Sequence, residues 1–434
     1  MKVLILGGGG REHAIIKKLQ ESPDVDTIYA LPGNGGISYD AHCENINPLD
    51  LDQAVVFALK NGVNFAVVGP DDPLAKGAVD RFVDAGIPAF GPNAAAASIE
   101  SSKVFAKNLM KKYKIPTAQY EIYDSADSAI SYIETMDRFP VVLKADGLAL
   151  GKGVIIAGNL AEAREGVHRI MTERVFGDSG NRIVIEEYLT GPEVSVLAFT
   201  DSKTLVPMVS SMDHKRVFDG DLGPNTGGMG TVAPNPFYTE AMAARCMEEI
   251  FLPTMAAMNA EGRPFKGCLY FGLMLTETGP KVIEYNCRFG DPEAQVVLPL
   301  LETDLFTIMK AVAEERLSEI SVTFRKGAAC CVIAASGGYP GTYEKGFPIS
   351  GLEIGQLPGV SVFHAGTKRS GEGLVTAGGR VLGVTGVADT LREAVNKAYD
   401  ALKGIEFEDM YYRKDIGSKA LLEINDEEVW GVPR

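Results

Sequence analysis

The first part of the chain alternates short apolar runs with segments of helical spacing, and this alternation limits the possible folds more than any other feature. It predicts strands at 3–6, 27–31, 65–68 and 88–90, and helices near 12–20, 51–60 and 75–84. Strands that alternate with helices favour a parallel sheet, because parallel neighbours need a crossover connection. Residues 1–101 are therefore predicted to form an N-terminal α/β domain with a Rossmann-like parallel sheet.

The rest of the chain divides into three further predicted units. Residues 122–187 form a compact unit with strands at 141–144, 154–157 and 183–186; it is too small to hold a complete active site and is predicted to be an inserted lid. Residues 102–121 and 188–325 are predicted to form a central domain with helices at 239–260 and 293–315. A new strand pattern begins near 326, so residues 326–434 are predicted to be a small α+β domain.

Charge and hydropathy exclude several classes of partner. The net charge of −15 repels nucleic acid, so an anionic substrate would need a local basic cluster. No apolar stretch approaches the ~18 residues that cross a bilayer, and the apolar run before the first glycines is too short for a signal peptide. The six cysteines contain no C-x-x-C pair. We therefore expect a cytoplasmic protein with reduced thiols and neither a nucleic-acid nor a membrane partner.

A glycine run, Gly7 to Gly10, follows the first predicted strand and precedes Arg11. Such a loop lets backbone N–H groups approach a phosphate. A dinucleotide site is disfavoured, because no G-x-G-x-x-G register fits and the second strand ends in Ala-Leu-Pro (30–32) without an acid. The loop is either a tight turn without a ligand or a contact for substrate phosphate or ribose through Gly9, Gly10 and Arg11.

A second glycine loop follows a strand lysine, in VLKADGLALGKGV (142–154). A flexible loop of this kind can close over a triphosphate, with Lys144 and Lys152 offsetting its charge. The spacing differs from a Walker A loop. The alternative is a hairpin with two solvated lysines. Gly151 and Gly153 flank Lys152 and belong to the same candidate site.

The strand that leaves the predicted lid carries a carboxylate pair, Glu186 and Glu187. This strand end could bind an adenine amino group, and Glu193 could bind the ribose hydroxyls. A solvated strand end is the alternative.

A polar loop, DHKRVFDGDLGPNTGGMG (213–230), cannot belong to the core. Its first four residues, Asp213, His214, Lys215 and Arg216, are all polar, and six of its remaining residues are glycine or proline. Long loops in compact domains are usually functional. The loop is therefore a candidate for part of the active site.

The segment VIEYNCRFGDPE (282–293) places Glu284, Asn286 and Arg288 on one face of a predicted strand, because side chains alternate. A carboxylate beside an amide oxygen suits Mg²⁺, and an arginine can grip a phosphate or carboxylate bidentately. No histidine pair has zinc-ligand spacing, and no G-x-S-x-G element or activated cysteine is present. Covalent catalysis by the protein is therefore not supported.

Taken in order, the lysine strand, glycine lid, Glu-Glu strand and Glu-x-Asn-x-Arg strand resemble the ATP-grasp superfamily. Within it the sequence is similar to the glycinamide ribonucleotide synthetase family over essentially its whole length. The matching stretches are GGREHA (9–14), GPDDPLAKG (69–77), KADGLALGKGV (144–154), DHKR (213–216), GPNTGGMG (223–230), EYNCRFGDPE (284–293), ASGGYPG (335–341), FHAGT (363–367), GGRVLGVT (378–385) and YRKDIG (412–417).

The resemblance implies an ATP-grasp core with an inserted lid and a C-terminal cap domain. It implies a ligase that joins glycine to 5-phosphoribosylamine with ATP and Mg²⁺ or Mn²⁺ in purine synthesis. Because a carboxylate is a poor acyl donor, we expect glycyl phosphate as the intermediate, and we expect the enzyme to be a monomer. Two departures stand out. No acidic residue occurs at 270–274, where many grasp enzymes place another metal ligand, and GPNTGGMG is followed by Thr-Val (231–232) instead of Ala-Tyr.

The resemblance also implies roles for individual residues. Phosphates would be held by Lys103, Lys144, Gly151, Lys152 and Gly153; adenosine by Glu186, Glu187, Tyr188, Leu189 and Glu193; the metal by Glu284 and Asn286. Catalysis would involve Arg288, Asp213, Lys215 and Arg216, and substrate would be bound by Gly9, Gly10, Arg11, Asn225, Thr226, Gly227, Gly228 and Asp291.

Three alternatives remain open from the sequence. Another ATP-grasp ligase with a different acid substrate would carry many of the same features. A nicotinamide oxidoreductase would need the missing acid at the end of the second strand. A catalytically inactive nucleotide-binding regulator would have no reason to keep Lys144, Lys152, Glu284, Asn286 and Arg288 together.

Overall fold

The computed structural model describes residues 1–136, 138–148 and 153–424. Its N-terminal part is a five-stranded parallel sheet of order β3-β2-β1-β4-β5, which confirms the predicted α/β unit. The elements are β1 (Lys2–Gly7), α1 (Gly10–Leu19), β2 (Thr27–Pro32), β3 (His42–Cys43), α2 (Leu51–Asn61), β4 (Phe65–Val68), α3 (Asp71–Ala75), α4 (Ala78–Asp84), β5 (Ala89–Phe90) and α5 (Ala94–Ser101).

The apolar run that predicted β1 is buried on both faces of this sheet. Val3 to Leu6 are completely buried, as expected for a central strand covered by helices on both sides. β1 ends at a glycine loop, and α1 begins directly after it at Gly10. The carboxyl edge of this sheet therefore faces the Glu284–Asp291 segment, since Asp291 accepts a hydrogen bond from the Arg11 backbone N–H.

The segment predicted to be a lid follows α6 (Lys103–Tyr113) and has its own core. Its sheet has the order β6-β9-β7-β8, and α7 and α8 pack against each other. A separate cluster of buried apolar side chains fills the lid, so it forms a packed unit of its own. The elements are β6 (Tyr120–Tyr123), α7 (Ala126–Met136), β7 (Val141–Ala145), β8 (Val154–Ala157), α8 (Leu160–Val167) and β9 (Ile183–Glu187).

The central sheet is antiparallel, with the order β11-β10-β16-β17. Its segment of the chain contains β10 (Glu193–Asp201), β11 (Leu205–Pro207), β12 (Met212–Asp213), β13 (Arg216–Phe218), β14 (Leu222–Asn225), β15 (Gly230–Ala233), α9 (Glu240–Cys246), α10 (Leu252–Ala260), β16 (Lys266–Thr276), β17 (Gly279–Asn286), α11 (Ala294–Val297) and α12 (Leu305–Ala313).

The prediction of one helix over 293–315 is wrong, because the chain is extended at Leu301 between α11 and α12. α12 then starts independently. The Asp304 side chain accepts a hydrogen bond from the Thr307 N–H at 2.6 Å, which caps the new helix. Apolar spacing continues through the break, so periodicity alone did not reveal it.

The C-terminal part is built on a second antiparallel sheet, of order β12-β15-β18-β23-β20, with β24 beside β18. Two of its strands, β12 and β15, precede the predicted boundary at 325/326, which stays a prediction. The elements after residue 325 are β18 (Ala328–Ser336), β19 (Pro348–Ile349), β20 (Val360–His364), β21 (Thr367–Ser370), β22 (Gly373–Thr376), β23 (Arg380–Ala388), α13 (Leu391–Leu402), β24 (Met410–Tyr411) and α14 (Ser418–Glu423).

The sheet arrangement decides where the polar loop 213–230 lies. Because β12 and β15 are paired, the loop between them leaves the edge of the C-terminal sheet as a hairpin made of β13 and β14. Among the described residues, no helix is both long and apolar enough to cross a membrane.

Candidate active site

A cleft of about 990 Å³ lies between the lid, the central sheet and the hairpin of β13 and β14. Most of the predicted site residues line it. They are Arg11, Lys103, Lys144, Gly153, Glu186, Glu187, Tyr188, Leu189, Glu193, Asp213, Lys215, Arg216, Asn225, Thr226, Gly227, Glu284, Asn286, Arg288 and Asp291. Gly151 and Lys152 lie outside the described residues. Gly9, Gly10 and Gly228 do not line the cleft.

Strand β17 supplies the floor of the cleft. Glu284 and Asn286 line it, and the Tyr285 side chain between them packs into the apolar core, as strand alternation predicts. Gly272 on β16 is the neighbour of Glu284, and a Cβ added there would lie 3.1 Å from Glu284 Cγ. A glycine at this position leaves room for the glutamate side chain.

Glu284 sits among positive charges without a direct partner. Burial would raise its pKa, but Lys215, Lys144 and Lys103 outweigh that effect and lower it. Within the described part of the chain, no hydrogen bond or ion pair reaches the Glu284 carboxylate. The carboxylate is therefore ionised and available to a ligand.

The protein donors around Glu284 are too few to hold a divalent cation alone, so a bound ligand would have to supply further oxygen donors. The described residues contain no group of three His, Cys, Asp or Glu side chains that could hold a metal ion. Glu284 and Asn286 offer a carboxylate and an amide oxygen, the hard donors that Mg²⁺ prefers. A cation here would complete its shell with phosphate oxygens and water, as beside bound nucleotides.

Arg288 is held in place by a buried carboxylate that the sequence analysis missed. Its Nη2 donates to Glu100 Oε1 at 2.9 Å and to Asn286 Oδ1 at 3.2 Å. Glu100 Oε2 also accepts from the Cys287 N–H at 2.7 Å, so one side chain fixes both the strand end and the arginine. Burial opposes the charge of Arg288, but Glu100 outweighs it and raises the pKa of the arginine.

One end of the cleft contains a buried cluster of Glu186, Lys144 and Lys107. Glu186 Oε2 lies 3.1 Å from Lys144 Nζ and 3.0 Å from Lys107 Nζ. The other oxygen, Glu186 Oε1, is buried without a hydrogen-bond partner. A buried acceptor left unpaired is costly, so this atom is suited to accept from a bound group. Burial lowers the pKa of Lys107 to about 8, although Glu186 opposes the shift.

The opposite wall carries alternating charges. Lys215 Nζ pairs with Glu193 Oε2 at 3.1 Å, and Glu193 raises the pKa of the lysine. Burial, reinforced by the nearby Glu293 carboxylate, raises the pKa of Asp213. Tyr270 donates to Glu293 Oε1 at 3.1 Å and fixes its direction. This wall therefore offers a lysine that can bind a phosphate and carboxylates that can bind an amino group.

The first glycine loop is less open than the sequence indicated. The Gly9 N–H donates to Glu12 Oε2 at 2.6 Å, and the Arg11 N–H donates to Asp291 Oδ2 at 3.4 Å. Gly10 packs against Gln295, whose Nε2 would lie 2.6 Å from an added Cβ. Gly9 and Gly10 thus stand behind the cleft wall, and their contact with substrate stays a prediction.

Several lining residues were not singled out from the sequence. Arg380 donates from Nη1 to Gly227 O and to Asp291 O, both at 2.7 Å, and so joins the polar loop to the end of β17. It lies in the stretch GGRVLGVT, which was quoted without a role. Lys107 and Glu100 belong to no motif; the only signal was a charged side chain on an otherwise apolar helix face. Other polar lining residues without a predicted role include Asp71, Asp221, Tyr270, Glu293 and Lys419.

The root of the hairpin contains a neutral histidine, His214, and this predicts a pH dependence. Its Nδ1 lies 3.1 Å from Gly230 O, and its Nε2 accepts from the Gly417 N–H at 3.2 Å. Burial and Arg413 lower its pKa from the ordinary 6.5 to about 4. The folded state therefore binds fewer protons than the unfolded state in this range, and stability falls as pH drops from about 6.5 towards 4.

We expect His214 to account for up to about 3 kcal/mol of this loss at pH 4, at ~1.4 kcal/mol for each pKa unit. His214→Asn should flatten the pH dependence of the urea midpoint, since asparagine can donate to Gly230 O but does not titrate. The exposed His42→Asn variant is the control and should behave as wild type. Parallel profiles for wild type and His214→Asn would contradict the assignment.

The sheets and the cleft define the class of protein. Residues 101–294 match the family model described as the ATP-grasp (A) domain of phosphoribosylglycinamide synthetase. A biotin carboxylase from Campylobacter jejuni, in complex with β,γ-ATP, shares the fold with a TM-score of 0.72 at 16% identity, over 95% of this chain and 92% of that one. The chain is an ATP-grasp protein.

The comparisons also identify the family. Residues 1–100 and 329–419 match the N and C domains of phosphoribosylglycinamide synthetase. Phosphoribosylamine–glycine ligases from Halalkalibacterium halodurans (49% identical, 98% of both chains) and Caldanaerobacter subterraneus (47%, 96% of this chain and 100% of the relative) are similar throughout. The crystal structure of the Thermotoga maritima ligase superposes with a TM-score of 0.82 at 33% identity, covering 96% and 100%.

The chain therefore belongs to the phosphoribosylglycinamide synthetase family of ATP-dependent ligases. It is an enzyme of this family, and the family implies the use of ATP and a divalent metal ion.

Proposed function

We propose that this chain joins glycine to 5-phosphoribosylamine, giving glycinamide ribonucleotide, ADP and phosphate, a step of purine synthesis. The observation that carries the proposal is the similarity to phosphoribosylamine–glycine ligases over 98% of the chain. The cleft supports it, since lysines, an arginine and carboxylates converge where a nucleotide and a zwitterion could lie side by side.

The chemistry needs an activated carboxylate. A free carboxylate is a poor acyl donor, because its leaving group would be oxide. A carboxylate oxygen of glycine therefore first attacks the γ-phosphorus of ATP, and ADP leaves. The product, glycyl phosphate, has a good leaving group, and the ribosylamine nitrogen displaces phosphate and gives up a proton. No cysteine lines the cleft among the described residues, and burial raises the pKa of Cys287, which agrees with a mechanism without a protein nucleophile.

The nucleotide would lie between the lid and β17. Glu186 Oε1 would accept from the adenine amino group, next to Glu187, Tyr188 and Leu189. Lys103, Lys144 and the 151–153 segment would hold the phosphates. Glu193 would bind the ribose and so release Lys215 for the phosphoryl group. In this way the bound nucleotide would replace an ion pair within the protein, and the freed lysine would bind the phosphoryl group where negative charge is concentrated.

The acceptor side would bind glycine and the ribosylamine. Arg288 would bind the glycine carboxylate or the transferring phosphoryl group through its guanidinium. Asp213 would bind the amino group of glycine, and Arg216 would lie beside it. Gly9, Gly10, Arg11, Asn225, Thr226, Gly227, Gly228 and Asp291 would hold the ribosylamine. We further propose that the enzyme works as a cytoplasmic monomer.

We propose Mg²⁺, with Mn²⁺ as a substitute, as the divalent ion held by Glu284 and Asn286. When bound, it supplies positive charge beside the transferring phosphoryl group. Tyr270, Phe271, Gly272, Leu273 and Met274 offer no carboxylate for a second ion, so any second ion would need other ligands.

The acyl phosphate predicts an isotope transfer. Glycine labelled with ¹⁸O in its carboxylate should pass one label to inorganic phosphate in each turnover, measured by mass spectrometry of the phosphate. ADP release should require both glycine and freshly made phosphoribosylamine. Label that appears in AMP, or stays wholly in the amide, would rule out the mechanism. ADP release that needs a different acid would favour another ATP-grasp ligase.

A further inference from the structure

Arg413 is a buried arginine that no role in the proposed reaction explains. Its side chain is only 1% exposed and binds Asp415 through two parallel hydrogen bonds, Nε to Oδ1 and Nη2 to Oδ2, each 2.8 Å. Nη1 reaches across to the hairpin and donates to Arg216 O and Asp221 Oδ1, each at 2.9 Å. A buried guanidinium is stable only when its N–H groups are paired, and here two of the four hydrogen bonds go to the hairpin.

The segment around Arg413, residues 411–417, makes further contacts with the hairpin, residues 216–225. Lys414 N–H donates to Asp219 Oδ1, and Gly220 N–H donates to Asp415 Oδ2, both at 2.8 Å. Tyr411 OH donates to Val217 O at 3.0 Å. The contacts reach the first strand of the hairpin and its turn, so the segment holds the hairpin at more than one point.

Apolar packing holds the hairpin at one residue of its first strand, Val217, which is 1% exposed and clusters with Met229 and Ala335. Every residue from Leu222 to Asn225 is exposed, and Phe218 and Leu222 are 50% and 65% exposed. Apolar burial therefore fixes the first strand of the hairpin at Val217 but contributes little to the position of its turn and second strand. At the turn, Asp221 has φ 56°, which residues with side chains rarely adopt, and its carboxylate is bound by Arg413 and Lys419.

The hairpin also forms one wall of the cleft. Arg216, Asp221 and Asn225 line the cleft directly, and Lys215 precedes the first hairpin strand. A displacement of the hairpin would move these side chains together. Displacements near 1 Å are enough to lower rates by about a hundredfold when reacting groups must be aligned.

We propose that Arg413, oriented by Asp415, is a positioning residue that fixes the 216–225 hairpin against the cleft. The C-terminal segment 411–417 thereby takes part in catalysis without touching the reactants. The proposal rests on the proposed function of the cleft. It assigns a positioning role to the stretch YRKDIG (412–417).

The test uses the full chain with Arg413→Lys, which keeps the charge but cannot bind Asp415, Arg216 O and Asp221 at once. We expect kcat to fall about tenfold to a hundredfold and KM for ATP to rise several-fold. Amides of 216–225 should exchange hydrogen faster, while amides of β18 and β23 exchange as in wild type. Lys414→Ala is the control in the same segment, because that side chain is exposed and makes no hydrogen bond or ion pair within the described residues.

The outcomes separate positioning from simple stabilisation. Normal kcat despite faster hairpin exchange would overturn the proposal, and so would a lower kcat with unchanged hairpin exchange. Faster exchange throughout β18 and β23 would show a general structural role and would also overturn it. Should Arg413→Lys not fold, Asp415→Asn is judged by the same criteria.

Failure of the proposed function would look different. Wild-type ADP release would then be independent of glycine and phosphoribosylamine. The exchange measurement, together with the affinity of each variant for a fluorescent ATP analogue, would still decide whether Arg413 positions the hairpin.

Discussion

Glu284→Gln is expected to lower kcat by on the order of a thousandfold, which corresponds to about 4 kcal/mol of transition-state stabilisation. Glutamine keeps the shape and one oxygen but removes the charge that a divalent cation needs. The Mg²⁺ concentration for half-maximal activity should rise strongly, measured by ADP release over a Mg²⁺ titration. The variant should still fold, but its melting temperature should fall somewhat, because a neutral side chain no longer offsets the charges of Lys215, Lys144 and Lys103.

The matched control is Glu277→Gln in the exposed turn between β16 and β17, where the side chain makes no contact among the described residues. It should leave kcat and the Mg²⁺ requirement unchanged. A Glu284→Gln enzyme with a lower melting temperature and an unchanged Mg²⁺ requirement would show that Glu284 is structural. That result would remove the metal assignment.

Arg288→Lys is expected to lower kcat about a hundredfold while changing the affinity for ATP much less. Lysine keeps the charge but cannot bind Glu100, Asn286 and a reactant together, as the guanidinium can. The bond to Glu100 Oε1, 2.9 Å, sets the direction of Arg288, and its Nε is buried without a partner. Steady-state kinetics with varied glycine and a separate nucleotide-binding titration would separate the two effects.

Arg316→Lys, on the surface where the arginine pairs with Glu314 and Glu319, is the matched control and should be neutral. A normal kcat in Arg288→Lys would place this residue outside the reaction. An equal loss of kcat and ATP affinity would instead indicate that Arg288 shapes the nucleotide site.

The sequence predicted much of the fold because its signals were local. The alternation in the first 101 residues indicated the parallel sheet, and β1 was found within one residue at each end. The helix prediction over 293–315 failed because apolar spacing continues through the break before Asp304. The pairing of β15 with β18, which joins β12 and β15 to the C-terminal sheet, could not be predicted, since contacts between strands about a hundred residues apart leave no periodic trace.

The candidate site shows the same division. Glu284, Asn286 and Arg288 could be predicted because strand alternation alone places them on one face. Glu100, Lys107 and Arg380 could not, because each acts through a partner far along the chain: Arg288, Glu186 and Asp291.

By itself the sequence determined the family, the order of the strands that carry the cleft residues, and the chemistry those residues allow. Only the tertiary structure decided which charges are paired and which are free. Glu186 Oε1 and the Glu284 carboxylate have no hydrogen-bond partner among the described residues and can bind a ligand. By contrast, the Gly9 N–H is bound to Glu12, and the Arg413 side chain is bound to the hairpin. Pairing depends on distance and burial, which a linear pattern does not contain.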